Sequence, residues 1–209
     1  MVEGARLESV LWVKPYEGSN PSLSAKIYRK DILHIHFNNN YFISDITPED
    51  KDAYLEHLKE KLIYDQTLAI PYPYTESSFN EWLATLKKQK ELNGRSICWG
   101  IKNNENYLIG GIGYSNINYD GVKSHRSEIG YWLAKDCWNQ GIMTAAIKKC
   151  VEIGFEEFDL IRITAHIFAF NVASQRVLEK AGFQFEGFLK KHYQKDGKIF
   201  DGKLYAIVR

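Results

Sequence analysis

Residues 137–155 read CWNQGIMTAAIKKCVEIGF, and the stretch just before them, residues 127–134, reads SEIGYWLA. Apolar side chains recur in pairs at Ile142/Met143, Ala146/Ile147, Cys150/Val151 and Gly154/Phe155, which lays one stripe of a helix on an apolar surface. The helix therefore has a buried back. At its front end Asn139, Gln140 and Gly141 form a loop able to turn sharply and leave the first-turn N–H groups unpaired. Those donors, with a helix dipole worth roughly half a positive charge at this end, suit a phosphate or pyrophosphate. A glycine ahead of a helix is also an ordinary turn signal, so the rest of the chain has to separate the two readings.

The 209 residues suffice for one domain with a sizeable core and are tight for two. With 44% hydrophobic and 25% charged residues, the composition is that of a globular protein and not of a disordered chain. A net charge of +1 offers no basic field for nucleic acid or an anionic membrane. No apolar run approaches a membrane span and the N-terminus lacks the apolar core of a signal peptide, so a cytoplasmic location is expected. Cys98, Cys137 and Cys150 lack CxxC spacing and are expected as reduced thiols, with no metal site.

Residues 1–25 show neither helical nor strand periodicity, and EGSNPSLSA is a cluster of turn formers. This stretch resembles the accidental translation of a transfer-RNA gene and is expected as a disordered extension, with residues 26–209 forming a single domain. ILHIHF and YFISDI flank Asn38, Asn39 and Asn40 and predict a hairpin, with His34 and His36 as surface strand residues lacking a third metal ligand. Thr47, Pro48 and Asp50 start a helix whose buried stripe is Tyr54, Leu55, Leu58 and Leu62. A second helix begins near Thr75, with Phe79, Trp82, Leu83 and Leu86 on its apolar face. Between the two lies IPYPY, whose Tyr72 and Tyr74 either line a substrate mouth or cover the helix junction. Exposed Tyr72, Tyr74 and Trp82 leave the chain a monomer or a homodimer.

Three strands then follow as a meander, SICWGIK, YLIGGIGY and SEIGYWLA. The GGIG run in the second lacks the following helix that a dinucleotide fingerprint needs. Beyond the central helix come a half-buried strand, IRITAHIFA, and a short helix in NVASQRVLEKAGF ended by Gly182. A closing hairpin turns at Asp196-Gly197.

The pair GYWLAKDCWNQGIMTAA and AFNVASQRVLEKAGFQFEG, about thirty residues apart, resembles the GCN5-related N-acetyltransferase (GNAT) family, in its RimJ/RimL-like branch that acetylates ribosomal-protein N-termini. The resemblance implies an α+β fold: a central, mostly antiparallel sheet of about seven strands, splayed between the fourth and fifth and flanked by helices. Acetyl-CoA would lie in the split, with backbone groups of Trp132 and Leu133 pairing with pantetheine. The loop and first turn at Trp138, Asn139, Gln140, Gly141, Ile142, Met143 and Thr144 would hold the pyrophosphate, Asn171 would order the split and the pantetheine, and Ser174 would face the sulfur. The family's phosphate loop usually carries Gln/Arg-x-x-Gly-x-Gly/Ala, whereas the outer positions here are Trp138 and Met143. Backbone binding depends on N–H groups and tolerates that change.

Acetyl transfer to an amine requires a neutral nitrogen, donors for the developing oxyanion and a proton for the departing thiolate. Glu128 is the candidate base, acting directly or through water, against a purely structural pairing with Arg126 or His125. Where many family members place a tyrosine acid, seven residues after the asparagine, this chain has Leu178; Ser174 is the substitute candidate, against a role as helix cap. Some RimL-like enzymes have a glutamate on the penultimate strand, and Tyr193 stands there instead, next to His192; either is a candidate on the substrate side, against the reading of a surface pair on the closing hairpin. Cys137, beside the loop, has no adjacent base to make it an acyl carrier. The resemblance thus implies acetyl-CoA-dependent acetylation of an amine acceptor, a protein N-terminal α-amine first. A small amine such as a polyamine or antibiotic is the alternative acceptor. A CoA-binding sensor without catalysis is the alternative of another class, motivated by Leu178 and Tyr193.

Overall fold

A computed structural model describes residues 34–115, 117–119 and 122–209. The extension expected at residues 1–25 lies outside the described residues. Eight strands form one sheet: β1 (Ile35–His36), β2 (Tyr41–Ser44), β3 (Cys98–Asn103), β4 (Leu108–Tyr114), β7 (Arg126–Leu133), β8 (Arg162–Phe168), β9 (Gln184–Lys195) and β10 (Lys198–Val208), while β5 (Asn118–Tyr119) and β6 (Val122–Lys123) make a separate ribbon. The spatial order β1-β2-β3-β4-β7-β8-β10-β9 is antiparallel at every junction except β7–β8. Among the described residues the sheet therefore has eight strands rather than about seven. The split falls between the expected pair, the strand ahead of the central helix and the strand after it, which the additional edge strand makes the fifth and sixth in space. The additional edge strand exists because Asn38 Oδ1 accepts the N–H groups of Asn40 and Tyr41, a tight turn that folds Ile35 and His36 back onto β2.

The parallel pair is what opens the sheet. β7 and β8 match only over Arg126–Glu128 against Arg162–Thr164, whereas β8 stays paired with β10 along its whole length. Beyond Thr164 the chain is led away into α5 (Val172–Ala181): Asn171 Oδ1 accepts from Ser174 N at 3.0 Å and Gln175 Nε2 donates to Ala169 O at 2.9 Å. Each strand is thereby left with one unpaired edge.

Against one face of the sheet lie α5 and α4 (Ile142–Glu156), the latter burying Ile142, Met143, Ala146, Ile147, Cys150, Val151 and Gly154, the stripe expected from the four-residue repeat, with Phe155 half-buried at its margin. The other face carries α1 (Lys51–His57), α2 (Lys61–Gln66) and α3 (Glu76–Asn93). The single first helix expected through Leu62 is broken in two. Glu60, in extended conformation, caps α2 by accepting from Leu62 N at 3.1 Å and also binds Lys135 Nζ at 2.8 Å. The break turns Leu62 out to 42% exposure and brings Ile63 in. Tyr74 and Trp82, expected at the surface, are buried, Trp82 Nε1 donating to Tyr54 Oη; Tyr72 alone of the three is exposed. No helix among the described residues is long and apolar enough to cross a membrane.

Candidate active site

The parted strands enclose a cavity of about 490 Å3. Its β7 wall follows from strand chemistry. Ser115 N donates to Glu128 O and Ala134 N to Ile109 O, so in this antiparallel pairing the even-numbered residues of β7 turn their backbone groups toward β4. Ile129, Tyr131 and Leu133 accordingly turn theirs into the opening. Trp132, expected to offer its backbone there together with Leu133, instead spends it on Gly111. The Leu133 carbonyl already accepts from Trp138 Nε1 at 2.8 Å, which gives the indole at position 138 a structural task.

At one end of the cavity stands α4. Asn139 (φ 61°) and Gly141 (φ 76°) are both left-handed, and Gly141 caps the helix with no side chain closing the first turn. No acidic residue occupies that turn, so the N–H groups of Ile142, Met143 and Thr144 and the helix dipole meet no competing negative charge within it. Arg176 and Lys180 of α5 line the same cavity, adding two cationic side chains that the motif reading overlooked. Open backbone donors, an unpaired strand edge and these cations fit a pantetheine-bearing diphosphate.

The two faces of β7 divide the remaining chemistry. Toward α5, Tyr131 Oη and Ser174 Oγ are 2.6 Å apart. Burial raises the Tyr131 pKa well above its ordinary value, against the Ser174 hydrogen bond, so the phenol keeps its proton. Ser174 is not the helix cap; Asn171 is, which frees the Ser174 hydroxyl for Tyr131. Leu178, at the family's tyrosine position, is fully buried in the core.

Toward the helical layer of α1 and α2, Glu128 faces His166 and not Arg126 or His125. Nδ1 of His166 lies 3.1 Å from Oε2 of Glu128, an ion-pair distance, and makes no hydrogen bond. The carboxylate raises the imidazole pKa against the opposing effect of desolvation. His192 stacks on His166, centroids 5.9 Å apart, and Tyr193 lines the cavity beside them. From β9, Tyr193 reaches the cavity and His192 the His166 ring across β10, which a β-bulge permits: Lys191 (φ 51°) donates its N–H to Asp201 Oδ1, and Gly202 leaves the gap. A Cβ at Gly202 would stand 2.8 Å from Tyr193 Cε2. Gly202→Ala is therefore expected to displace the Tyr193 ring and raise the acceptor KM by roughly tenfold with acetyl-CoA binding unchanged, as steady-state kinetics and calorimetry would show. Above this region the β9–β10 turn clasps α2, through Lys195 to the carbonyls of Tyr64 and Thr67 and Asp196 to the Tyr64 hydroxyl at 2.6 Å.

Residues 41–184 match the family model described as an acetyltransferase (GNAT) domain. The chain belongs to the GNAT family. YoaA of Bacillus subtilis, an uncharacterized N-acetyltransferase, is 39% identical over 116 residues, 55% of this chain and 64% of YoaA, so this relative is matched over less than two thirds of its length. Mycobacterium smegmatis RimJ in complex with a CoA disulfide shares the fold with a TM-score of 0.70 and 23% identity, over 80% of this chain and 81% of RimJ. Spermidine N-acetyltransferase from Vibrio cholerae, in complex with CoA and spermine, does so at 0.68 and 20% identity, over 82% of this chain and 96% of that enzyme. The fold by itself does not choose an acceptor.

Within this GNAT domain the cavity is lined by Glu128, Trp132, Leu133, Trp138, Asn139, Gly141, Ile142, Met143, Thr144, Asn171, Ser174 and Tyr193 from among the residues singled out in the sequence. Gln140 turns its amide back to Asp136 O, and Tyr72 and Tyr74 lie off the cavity, Tyr72 on the Tyr64 ring and Tyr74 on Tyr54. Tyr131, His166, Arg176 and Lys180 are the additions. Cys137 lines the cavity, but burial, with Asp136 adding to it, raises its thiol pKa, which works against a thiolate nucleophile.

Proposed function

We propose that this chain transfers an acetyl group from acetyl-CoA to the α-amine of a protein or peptide N-terminus. The observation that carries the reading is the polarity of one continuous cavity: backbone donors, Arg176 and Lys180 on one side, and Glu128 as its one carboxylate among the described lining residues. Bound there, acetyl-CoA would supply an acyl carbon activated as a thioester. The α4 amides, Arg176 and Lys180 hold its phosphates, and the β7 edge at Tyr131 and Leu133 orients the pantetheine. Ser174 Oγ, backed by the protonated Tyr131, stands ready to give the thiolate its proton. Glu128 takes a proton from the acceptor nitrogen.

The lone carboxylate bears on the acceptor. A polyamine presents several ammonium groups and calls for several carboxylates, whereas an N-terminus presents one. An α-amine with a pKa near 8 is about a tenth deprotonated at neutral pH, against fewer than about one in a thousand for a lysine amine. One weak base therefore suffices for it. The acceptor side is otherwise walled by Ile63, Leu68, Ile70 and Phe168, which suits the apolar parts of a peptide end. The test is thiol release from acetyl-CoA with a panel of N-terminal peptides, spermidine and aminoglycosides. Peptides are expected to give the highest kcat/KM; a preference for spermidine would overturn the acceptor, and thermal stabilisation by acetyl-CoA with no turnover of any amine would overturn the enzyme.

A further inference from the structure

An ammonium acceptor carries three protons and its amide product keeps one. As the nitrogen bonds to the acyl carbon and the C–S bond breaks, one of the two lost protons ends on sulfur; the other has to reach water in every turnover. The Glu128 side chain is only 17% exposed, so whatever it takes up needs a way out. His166 stands between it and solvent: Nδ1 is buried on the Glu128 carboxylate with no well-formed hydrogen bond, while the side chain as a whole is 26% exposed. Its flat face lies against His192, an exposed residue, at an interplanar angle of 14°.

We propose that His166 is the exit for the acceptor's proton. The inference rests on reading Glu128 as the base. The relay runs through the neutral form of His166 with its proton on Nε2. Glu128 receives the proton from the ammonium, Nδ1 takes it from the carboxyl, restoring the carboxylate, and the imidazolium so formed gives its Nε2 proton to water beside His192. Exchange with water then returns the remaining proton from Nδ1 to Nε2. Because the carboxylate raises the imidazole pKa, this neutral form, and the exit with it, grows as pH rises. The groups facing His166 agree with this course. β7 presents Glu128, and β9 presents His192 and Tyr193. β10 presents Leu204 opposite it, with the Lys203 ammonium held by Gln175 on the α5 side. No cation among these opposes an imidazolium, other than His192 itself, and the one carboxylate favours it; the raised pKa of His166 is the consequence of that arrangement. The bulge at Lys191 and the bare backbone at Gly202 exist on the path that brings His192 to this ring.

His166→Ala is expected to lower kcat by roughly tenfold to a hundredfold, to leave the acetyl-CoA dissociation constant unchanged, and to regain rate on addition of imidazole, which a packing defect would not allow. His166→Gln, closer in volume, is expected to share the loss and not the rescue. In the unreacted protein, NMR titration is expected to find His166 above the ordinary histidine range and to find it lowered in Glu128→Gln. Wild-type pH profiles in both His166 variants, without rescue, would overturn the exit and leave Glu128 untouched. Full activity of Glu128→Gln beside an imidazole-rescued His166→Ala would overturn Glu128 as base and make His166 the first proton acceptor.

Discussion

Replacing Glu128 by glutamine is expected to lower kcat at neutral pH by about 10²- to 10³-fold, with the acetyl-CoA dissociation constant unchanged. Glutamine keeps the shape of the side chain and can still touch His166, but it cannot take a proton. The two effects separate because Glu128 sits where β7 and β8 still pair, whereas the amides proposed to hold the phosphates lie at the start of α4, past the end of β7. The pH dependence distinguishes a base from an orienting group. An α-amine is mostly charged below its pKa near 8 and arrives already neutral above about pH 9, so the deficit of the variant should shrink as pH rises. Profiles of kcat/KM from mildly acidic to alkaline pH would show this. A deficit constant across the range would make Glu128 an orienting residue, and no deficit would remove it from the chemistry.

What could be read in the sequence was whatever depends on local pattern. The stripe of α4, the sharp turn at Gly141, the Gly182 stop and the Asp196-Gly197 turn are each written within a few neighbouring residues, and the structure has all of them, whereas the cap of α5 is Asn171 and not Ser174. The split was accessible only through the family resemblance, since nothing local states that β7 and β8 match for three residues and then part. Partnerships across strands were out of reach for the same reason. The structural partner weighed for Glu128 was sought among its chain neighbours Arg126 and His125, whereas the residue that meets its carboxylate is His166, thirty-eight positions away on β8 and two beyond Thr164, the register partner of Glu128 across the parallel junction. Alternation did contain a usable signal: it separates Tyr131 from Glu128 and Trp132 and sends it to the α5 side, where Ser174 meets it. The broken first helix was hidden because a glutamate at residue 60 resembles any solvent-facing helical residue until Lys135 is brought beside it.

The wall on the acceptor side depends on a buried pair far from the chemistry. Asp50 and Lys102 are each 4% exposed, with Oδ1 and Nζ 2.8 Å apart, and Asp50 Oδ2 also accepts from Thr47 N at 2.8 Å. Asp50→Ala would leave an ammonium stranded inside the protein together with an unpaired backbone donor, and is expected to destabilise the fold by about 3–5 kcal/mol. The remedy distinguishes this cause from loss of a helix cap, since Lys102→Met in the same chain removes the stranded charge. Urea unfolding of the double variant is then expected to recover most of the loss; if Asp50→Ala alone costs under about 1 kcal/mol, the level of an exposed pair, the pair is not what ties α1 to β3. The functional consequence follows from what α1 carries. Tyr54 packs edge-on against Trp132 of β7 at 5.3 Å, and α2 beyond it supplies Ile63 to the cavity. The end proposed for the phosphates is built from α4 and α5 on the opposite face. Weakening the α1–β3 anchor should therefore raise the acceptor KM at temperatures where acetyl-CoA still binds, because the proposed function assigns the two substrates to different layers of the fold and only one layer has been loosened.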